Sequence, residues 1–236
     1  MSAAPRRVAA PRTAAVLAAL LRKELRVELR SFSAVPAMSL FSVTTFVLFH
    51  FALARNALSG DLASGVLWVT LLFAAVLGIN RLFVADAEQG GFDGFLLSPA
   101  DRNVLPYSKA LTLLAYLAVL EVVAVPAFAL LLLGPAIWPA LPGLLVVLAL
   151  GDLGIVVIGT LVGALAVRTS VRDLLGPMIS LPLLVPVLLC AVRATSPVLG
   201  AAAVGALPPR WLVSLALYDL VFGLITFAVF DFLLED

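Results

Sequence analysis

Six long apolar stretches, separated by clusters of proline, glycine and charged residues, dominate this sequence. A helix needs about 20 apolar residues to cross a bilayer, and each stretch is long enough. Of the 236 residues, 63% are hydrophobic and only 12% are charged, whereas soluble domains are about 45–50% apolar. We therefore expect an all-α integral membrane protein, with a single domain over 1–236 and six transmembrane helices at roughly 35–54, 62–82, 107–133, 140–166, 174–193 and 211–233.

The distribution of basic residues predicts the orientation of these spans. Lys and Arg in short flanking segments are retained on the cytoplasmic side, and six spans place both termini on one side. The N-terminal side holds twelve basic residues: Arg6, Arg7, Arg12, Arg22, Lys23, Arg26, Arg30, Arg81, Arg102, Lys109, Arg168 and Arg172. The opposite side holds only Arg55, Arg193 and Arg210. We therefore expect both termini to be cytoplasmic. We also expect Trp68, Trp138 and Trp211, all in the outer half, to form an interfacial belt.

The segment before the first span has the pattern of a helix that lies on the membrane. After an arm at 1–13 that we expect to be flexible, residues 14–31 repeat leucine every fourth position, at Leu17, Leu21, Leu25 and Leu29. A basic row of Arg22, Arg26 and Arg30, with Lys23 beside it, can reach anionic headgroups while the leucines enter the acyl boundary. Glu24 and Glu28 form a neighbouring acidic row. Such a helix acts either as a plain positive-inside anchor or also as a contact for a cytoplasmic partner.

The connection at 83–106, between the second and third spans, is polar enough to lie outside the lipid. It contains acidic residues and several glycines, yet it also carries apolar side chains that need cover, because an exposed apolar patch indicates a contact surface. The acidic residues are Asp86, Glu88 and Asp93, and the apolar ones are Phe83, Phe92, Phe95, Leu96 and Leu97. The pair Ser98-Pro99 favours a turn or a helix start. We expect this cytoplasmic segment to contact either the N-terminal helix or another chain.

The motif LFVADAEQGGFDGFLLSP in this connection resembles the cytoplasmic loop of the haem exporter protein B family (CcmB). The family pattern matches at Phe83, Asp86, Gly90, Leu96, Leu97, Ser98 and Pro99, while Phe95 stands where leucine is usual. The run LPLLVPVLL in the fifth span, with Pro182 and Pro186, is similar to a second family motif. Length, span number and the basic helix before the first span agree as well, so the resemblance extends over nearly the whole chain.

The resemblance implies the permease subunit of an ABC-type transporter in the bacterial inner membrane, with the ABC-2-type permease architecture and a role in cytochrome c maturation. It implies a separate ABC ATPase (CcmA-like), a companion membrane subunit (CcmC-like), a small CcmD-like subunit and a haem chaperone (CcmE-like). The loop would then dock the ATPase through Phe83, Asp86, Glu88, Gly90, Phe92, Phe95, Leu96, Ser98 and Pro99. The chain has no Walker motif of the G-x-x-x-x-G-K-[ST] type, so we expect ATP to act through the partner, no catalytic residue and no metal site here. Haem would be handled by the complex.

Three carboxylates inside the spans need protein surroundings, because an ionisable group near the bilayer centre costs about 2.5–3.5 kcal/mol. Glu121 and Asp152 lie near the centres of the third and fourth spans, which a short connection makes antiparallel neighbours. Two carboxylates held close together favour sharing a proton. Together with Asp219, they indicate either a polar pathway or docking site for a partner helix, or hydrogen bonds that fix helix packing. As an acid–base pair they are also compatible with an intramembrane enzyme that needs no ATPase.

The remaining candidates are isolated residues. His50, the only histidine, lies toward the outer end of the first span, where an interfacial role competes with haem ligation. Cys190, the single cysteine, lies within the fifth span and has the character of a small buried hydrophobe. The net charge of +1 gives no indication of nucleic-acid binding. An ABC-2-type permease that exports a lipid, glycan or drug has the same architecture and stays open as an alternative function.

Overall fold

In a computed structural model of the chain, the described residues are 13–53, 58–88, 104–134, 137–167, 172–200 and 207–235. They form seven α-helices: α1 (Thr13–Ser31), α2 (Ala34–Leu53), α3 (Gly60–Glu88), α4 (Val104–Phe128), α5 (Ile137–Val167), α6 (Arg172–Thr195) and α7 (Pro209–Glu235). A π-helical turn, Ala129–Leu133, continues α4. No β-strand occurs within these ranges, which confirms the all-α prediction.

Six of the helices are long and apolar enough to cross a membrane. The candidate spans are Ala34–Leu53, Gly60–Phe83, Val104–Leu133, Ile137–Gly163, Met178–Thr195 and Pro209–Val229. They correspond one to one with the apolar stretches of the sequence, so the six-span prediction is confirmed by length and composition. Helix α1 precedes them and packs against α4.

Helix α3 is the centre of the bundle, and α7 is at its edge. Helix α3 packs against α2, α4, α5 and α6, whereas α7 packs mainly on α5 and α6. Within the membrane-length apolar stretch of α3, 72% of the residues are buried inside the protein, whereas in that of α7 only 6% are. Most of α7 therefore presents apolar side chains, such as Leu217 and Leu224, to whatever surrounds the protein.

The side chain of Trp68 lies in the core rather than at the membrane interface. Only 1% of it is exposed, and its Nε1–H donates to Thr195 Oγ1 at 2.9 Å. Its ring lies against Gly151, where an added Cβ would come within 2.2 Å of the indole. The interfacial prediction is therefore wrong for Trp68. Trp138, by contrast, is 74% exposed, as an interfacial ring would be.

The connection expected at 83–106, between the second and third spans, is helical at its start, because the second candidate span ends at Phe83 but its helix does not. Helix α3 continues to Glu88 and α4 begins at Val104. The stretch 83–88 contains neither glycine nor proline, so nothing in it stops the helix before Gly90. Residues 89–103 lie outside the described part of the chain.

Candidate functional site

Helix α1 turns its acidic row toward the bundle and its basic row away from it. Glu24 and Glu28 are its two buried residues, while Arg22, Lys23, Arg26 and Arg30 are all exposed. Of the leucine row, Leu17, Leu21 and Leu25 are half-buried and Leu29 is 67% exposed. The sequence pattern correctly separated a basic, an acidic and a leucine face. The face that packs against the rest of the protein is the acidic one, with Glu24 and Glu28.

Glu28 faces the bundle because it caps the N-terminus of the first membrane span, α2. Its Oε1 accepts the backbone N–H groups of Ala34 and Val35 at 2.9 and 2.8 Å. These are unpaired donors at the N-terminus of α2, where the helix dipole favours a carboxylate. The chain reaches this geometry through Phe32, whose φ of 48° turns it sharply after α1.

Glu24 forms the second inward contact, an ion pair with α4. Its Oε1 lies 3.0 Å from Lys109 Nζ, with the lysine side chain 3% and the glutamate side chain 11% exposed. Lys23 also approaches Glu24, at 3.3 Å. Lys109, which the sequence suggested as a cytoplasmic flanking charge, is thus a buried partner of α1.

Phe83, expected on an exposed docking surface, is buried at the end of the second span. Only 8% of it is exposed, and the Lys109 ammonium lies 5.9 Å from the centre of its ring. Helix α5 approaches the ring so closely that a Cβ at Gly163 would lie 2.4 Å from it. Phe83 is therefore a packing residue at this junction and is not open to a partner subunit.

The other residues suggested for ATPase coupling have side chains outside the described part of the structure. Asp86 and Glu88 belong to the last turns of α3, with side chains outside the description. The remaining residues of the set lie outside the described ranges altogether: Gly90, Phe92, Phe95, Leu96, Ser98 and Pro99. Their docking role stays a prediction.

The structure places Glu121 of α4 and Asp152 of α5 next to each other, at the contact between these two helices. Carboxylate oxygens only accept, so a hydrogen bond between the two groups would require a proton on one of them. Asp152 is 6% exposed, and Glu121 Oε1 is buried without a hydrogen-bond partner among the described residues. The pair joins the third and fourth spans at a point where one oxygen remains available.

Asp219 is not part of this pair. It reaches from α7 onto the surface of α5 at Gly154, where a Cβ would come within 2.6 Å of its Oδ1. Both of its carboxyl oxygens are buried and lack hydrogen-bond partners in the described ranges. The third carboxyl group therefore occupies a separate α5–α7 contact.

His50 has a structural partner that the sequence did not reveal. Its Nδ1 lies 2.6 Å from the carbonyl oxygen of Leu131, within the π-helical turn that ends the third span. A carbonyl only accepts, so Nδ1 carries the hydrogen, and the contact links the C-terminal ends of the first and third spans.

Among the described residues, no cluster of three or more His, Cys, Asp or Glu could hold a metal ion. Cys190 is half-buried in α6.

Comparison with known proteins identifies the family. The model of the family described as CcmB protein matches residues 15–233. The protein "Heme exporter protein B" of Bradyrhizobium diazoefficiens is 33% identical over 209 residues, which cover 88% of this chain and 93% of that protein. Its namesake in Rhodobacter capsulatus is 34% identical over 172 residues, 72% of this chain and 78% of the relative. On this match over almost its full length, the chain belongs to the CcmB family.

Proposed function

We propose that the chain is the permease subunit of an ABC-type transport complex that acts in cytochrome c maturation. The observation that carries the proposal is the family match over 15–233, supported by relatives that bear the name "Heme exporter protein B". A bundle of six apolar helices is the architecture that such a subunit needs. The membrane is the bacterial inner membrane, with both termini in the cytoplasm.

The energy for transport comes from another chain. The sequence contains no phosphate-binding loop, so an ABC ATPase subunit of the CcmA type supplies ATP hydrolysis and this subunit is not itself an enzyme. The complex couples hydrolysis to haem handling or to release of the haem-loaded chaperone, a CcmE-like protein. A CcmC-like membrane subunit and a small CcmD-like subunit complete it.

Docking of the ATPase falls to the acidic, aromatic connection between α3 and α4. Asp86 and Glu88 supply charge, and Phe92 and Phe95 supply apolar anchors of the kind that dominate interface energetics. Phe83 contributes from inside the bundle by fixing the end of α3. The exposed basic row of α1 faces the other way, and its arginines and lysine contact anionic headgroups.

Complementation tests the proposed function. Deletion of the gene should abolish covalent haem attachment to c-type cytochromes, measured by peroxidase-active haem bands after denaturing electrophoresis, and the wild-type gene should restore it. An ABC-2-type permease that exports a lipid, glycan or drug would leave these bands unchanged after deletion. That result would refute the cytochrome c role while keeping the membrane architecture.

Two substitutions test the docking segment. Asp86→Ala and Phe95→Ala should leave the protein inserted at normal abundance but reduce recovery of the ATPase with the tagged chain. Matched controls with the same chemistry lie at the opposite membrane face: Asp61, which is exposed, and Phe51, which is 76% exposed. Their alanine variants should retain the ATPase. Normal ATPase recovery with both loop variants would reject docking at this segment.

A further inference from the structure

One buried contact joins three elements that are far apart in sequence. Glu24 of α1 is paired with Lys109 of α4 at 3.0 Å, and the lysine ammonium lies over the ring of Phe83 in α3. Because Lys109 is 3% exposed and Glu24 11%, solvent ions screen the pair much less than a surface pair. We call Glu24, Lys109 and Phe83 the stem junction.

The stem junction lies beside both ends of the segment that connects α3 to α4. Phe83 is five residues before the end of α3 at Glu88, and Lys109 is five residues after the start of α4 at Val104. Phe83 also packs against α5, where a Cβ added at Gly163 would lie 2.4 Å from its ring. Protein interiors are close-packed and yield little. The end of α3 and the start of α4, which we call the two stems of the connection, are thus held to Glu24 through Lys109.

Helix α1 connects Glu24 to the first membrane span. Glu28 is one helical turn beyond Glu24, about 6 Å along the axis, and it holds the N-terminal amides of Ala34 and Val35. One turn of α1 therefore makes both contacts. Glu24 contacts the stems of the α3–α4 connection, and Glu28 contacts the start of α2.

We propose that Glu24 and Lys109 are positioning residues that make α1 and the stems of the α3–α4 connection move as one unit, so that motion of the ATPase reaches the first span through α1. The proposal rests on the proposed function, because it takes the ATPase as the source of motion. A buried ion pair adds little net stability over an apolar pair of similar shape. Replacement of Glu24 and Lys109 by neutral residues should therefore keep α1 packed on α4 while it removes the ion pair between them.

A distance measurement in the full complex tests the proposal. With Cys190→Ala as background, spin labels are placed at Arg26→Cys on the exposed face of α1 and at Val213→Cys, 65% exposed on α7. Double electron–electron resonance then compares the nucleotide-free complex with the complex trapped by ATP and vanadate. In the wild-type background, we expect ATP to shift the distance distribution.

The variants decide whether the stem junction transmits this shift. Glu24→Gln with Lys109→Met should retain the ATPase but lose the ATP-dependent shift, and the charge swap Glu24→Lys with Lys109→Glu should restore it. Arg81→Gln, which neutralises an exposed cation near the same end of α3, serves as the control and should keep the shift.

Each contrary outcome has a definite meaning. A shift that persists in the neutral double variant overturns the inference, and so does an ATPase-bound wild-type complex without any shift. If the neutral double variant does not accumulate, the charge-swap variant alone decides. A folded charge-swap variant that keeps the ATP-dependent shift supports the role of the stem junction. A folded charge-swap variant without the shift refutes that role. A wild-type complex without an ATPase overturns the proposed function first and this inference with it.

Discussion

Replacement of Gly151 by alanine tests the tightest helix contact in the bundle. A Cβ at this position would lie 2.2 Å from Cη2 and 2.6 Å from Cζ3 of Trp68, closer than any pair of non-bonded carbon atoms can approach. The indole cannot swing away freely, because its N–H is bound to Thr195 Oγ1 and both residues are fully buried. The substitution must therefore separate α3 from α5 or break the hydrogen bond.

The cost follows from these two consequences. Overpacking of a filled core costs about 1–3 kcal/mol, and an indole N–H left buried without its acceptor costs about 1–3 kcal/mol. Alanine recovers about 1 kcal/mol through its higher helix propensity. Because only one of these two costs applies, we expect Gly151→Ala to lower the free energy of unfolding by about 1 kcal/mol.

Titration with a denaturing detergent measures this loss, with unfolding followed by reaction of the single thiol, Cys190, with a maleimide dye. Gly65→Ala in α3 is the matched control, because a Cβ there meets no atom within 4 Å, and it should cost nothing. Trp68→Phe should relieve the clash, so the double variant with Gly151→Ala should lose less than the sum of the single losses. Equal stability of Gly151→Ala and Gly65→Ala would refute this reasoning.

Three further predictions concern topology and the acidic side chains. A periplasmic reporter fused to the C-terminus should be inactive, because the distribution of Lys and Arg predicts that both termini are cytoplasmic, and an active reporter would contradict this orientation. Glu121→Gln should preserve both assembly and cytochrome c formation, because an amide can still donate to Asp152; loss of cytochrome c in an intact assembly would show that the pair does more than pack helices. Glu28→Gln should lower the free energy of unfolding by about 1 kcal/mol, as the carboxylate charge at the start of α2 is lost, and the same detergent titration would detect it.

The sequence was sufficient to predict the six spans and the helix before them, because both follow from local patterns. Apolar runs of spanning length have few alternatives, and the four-residue leucine repeat indicates a helix at 14–31. The rotation of that helix was not predictable in the same way. Its inward face is set by Lys109 and by the amides of α2, which lie elsewhere in the chain, and no periodicity reveals such partners.

Trp68 and Phe83 illustrate the same limit at the ends of the second span. Each side chain is large and lies near a predicted membrane boundary, which suggested an interfacial ring for Trp68 and an exposed anchor for Phe83. Each is instead buried against a glycine of α5, Gly151 for the indole and Gly163 for the phenyl ring. A glycine in one helix makes room for a ring in another, and that complementarity exists only once the helices are packed.

Affinity purification of the tagged chain from native membranes is the most direct test of its role as a permease subunit. We expect mass spectrometry of the purified complex to find an ABC ATPase in an amount comparable to that of the chain itself, and Asp86→Ala to deplete it. A stably purified chain that supports cytochrome c formation without any associated ATPase would contradict the central claim.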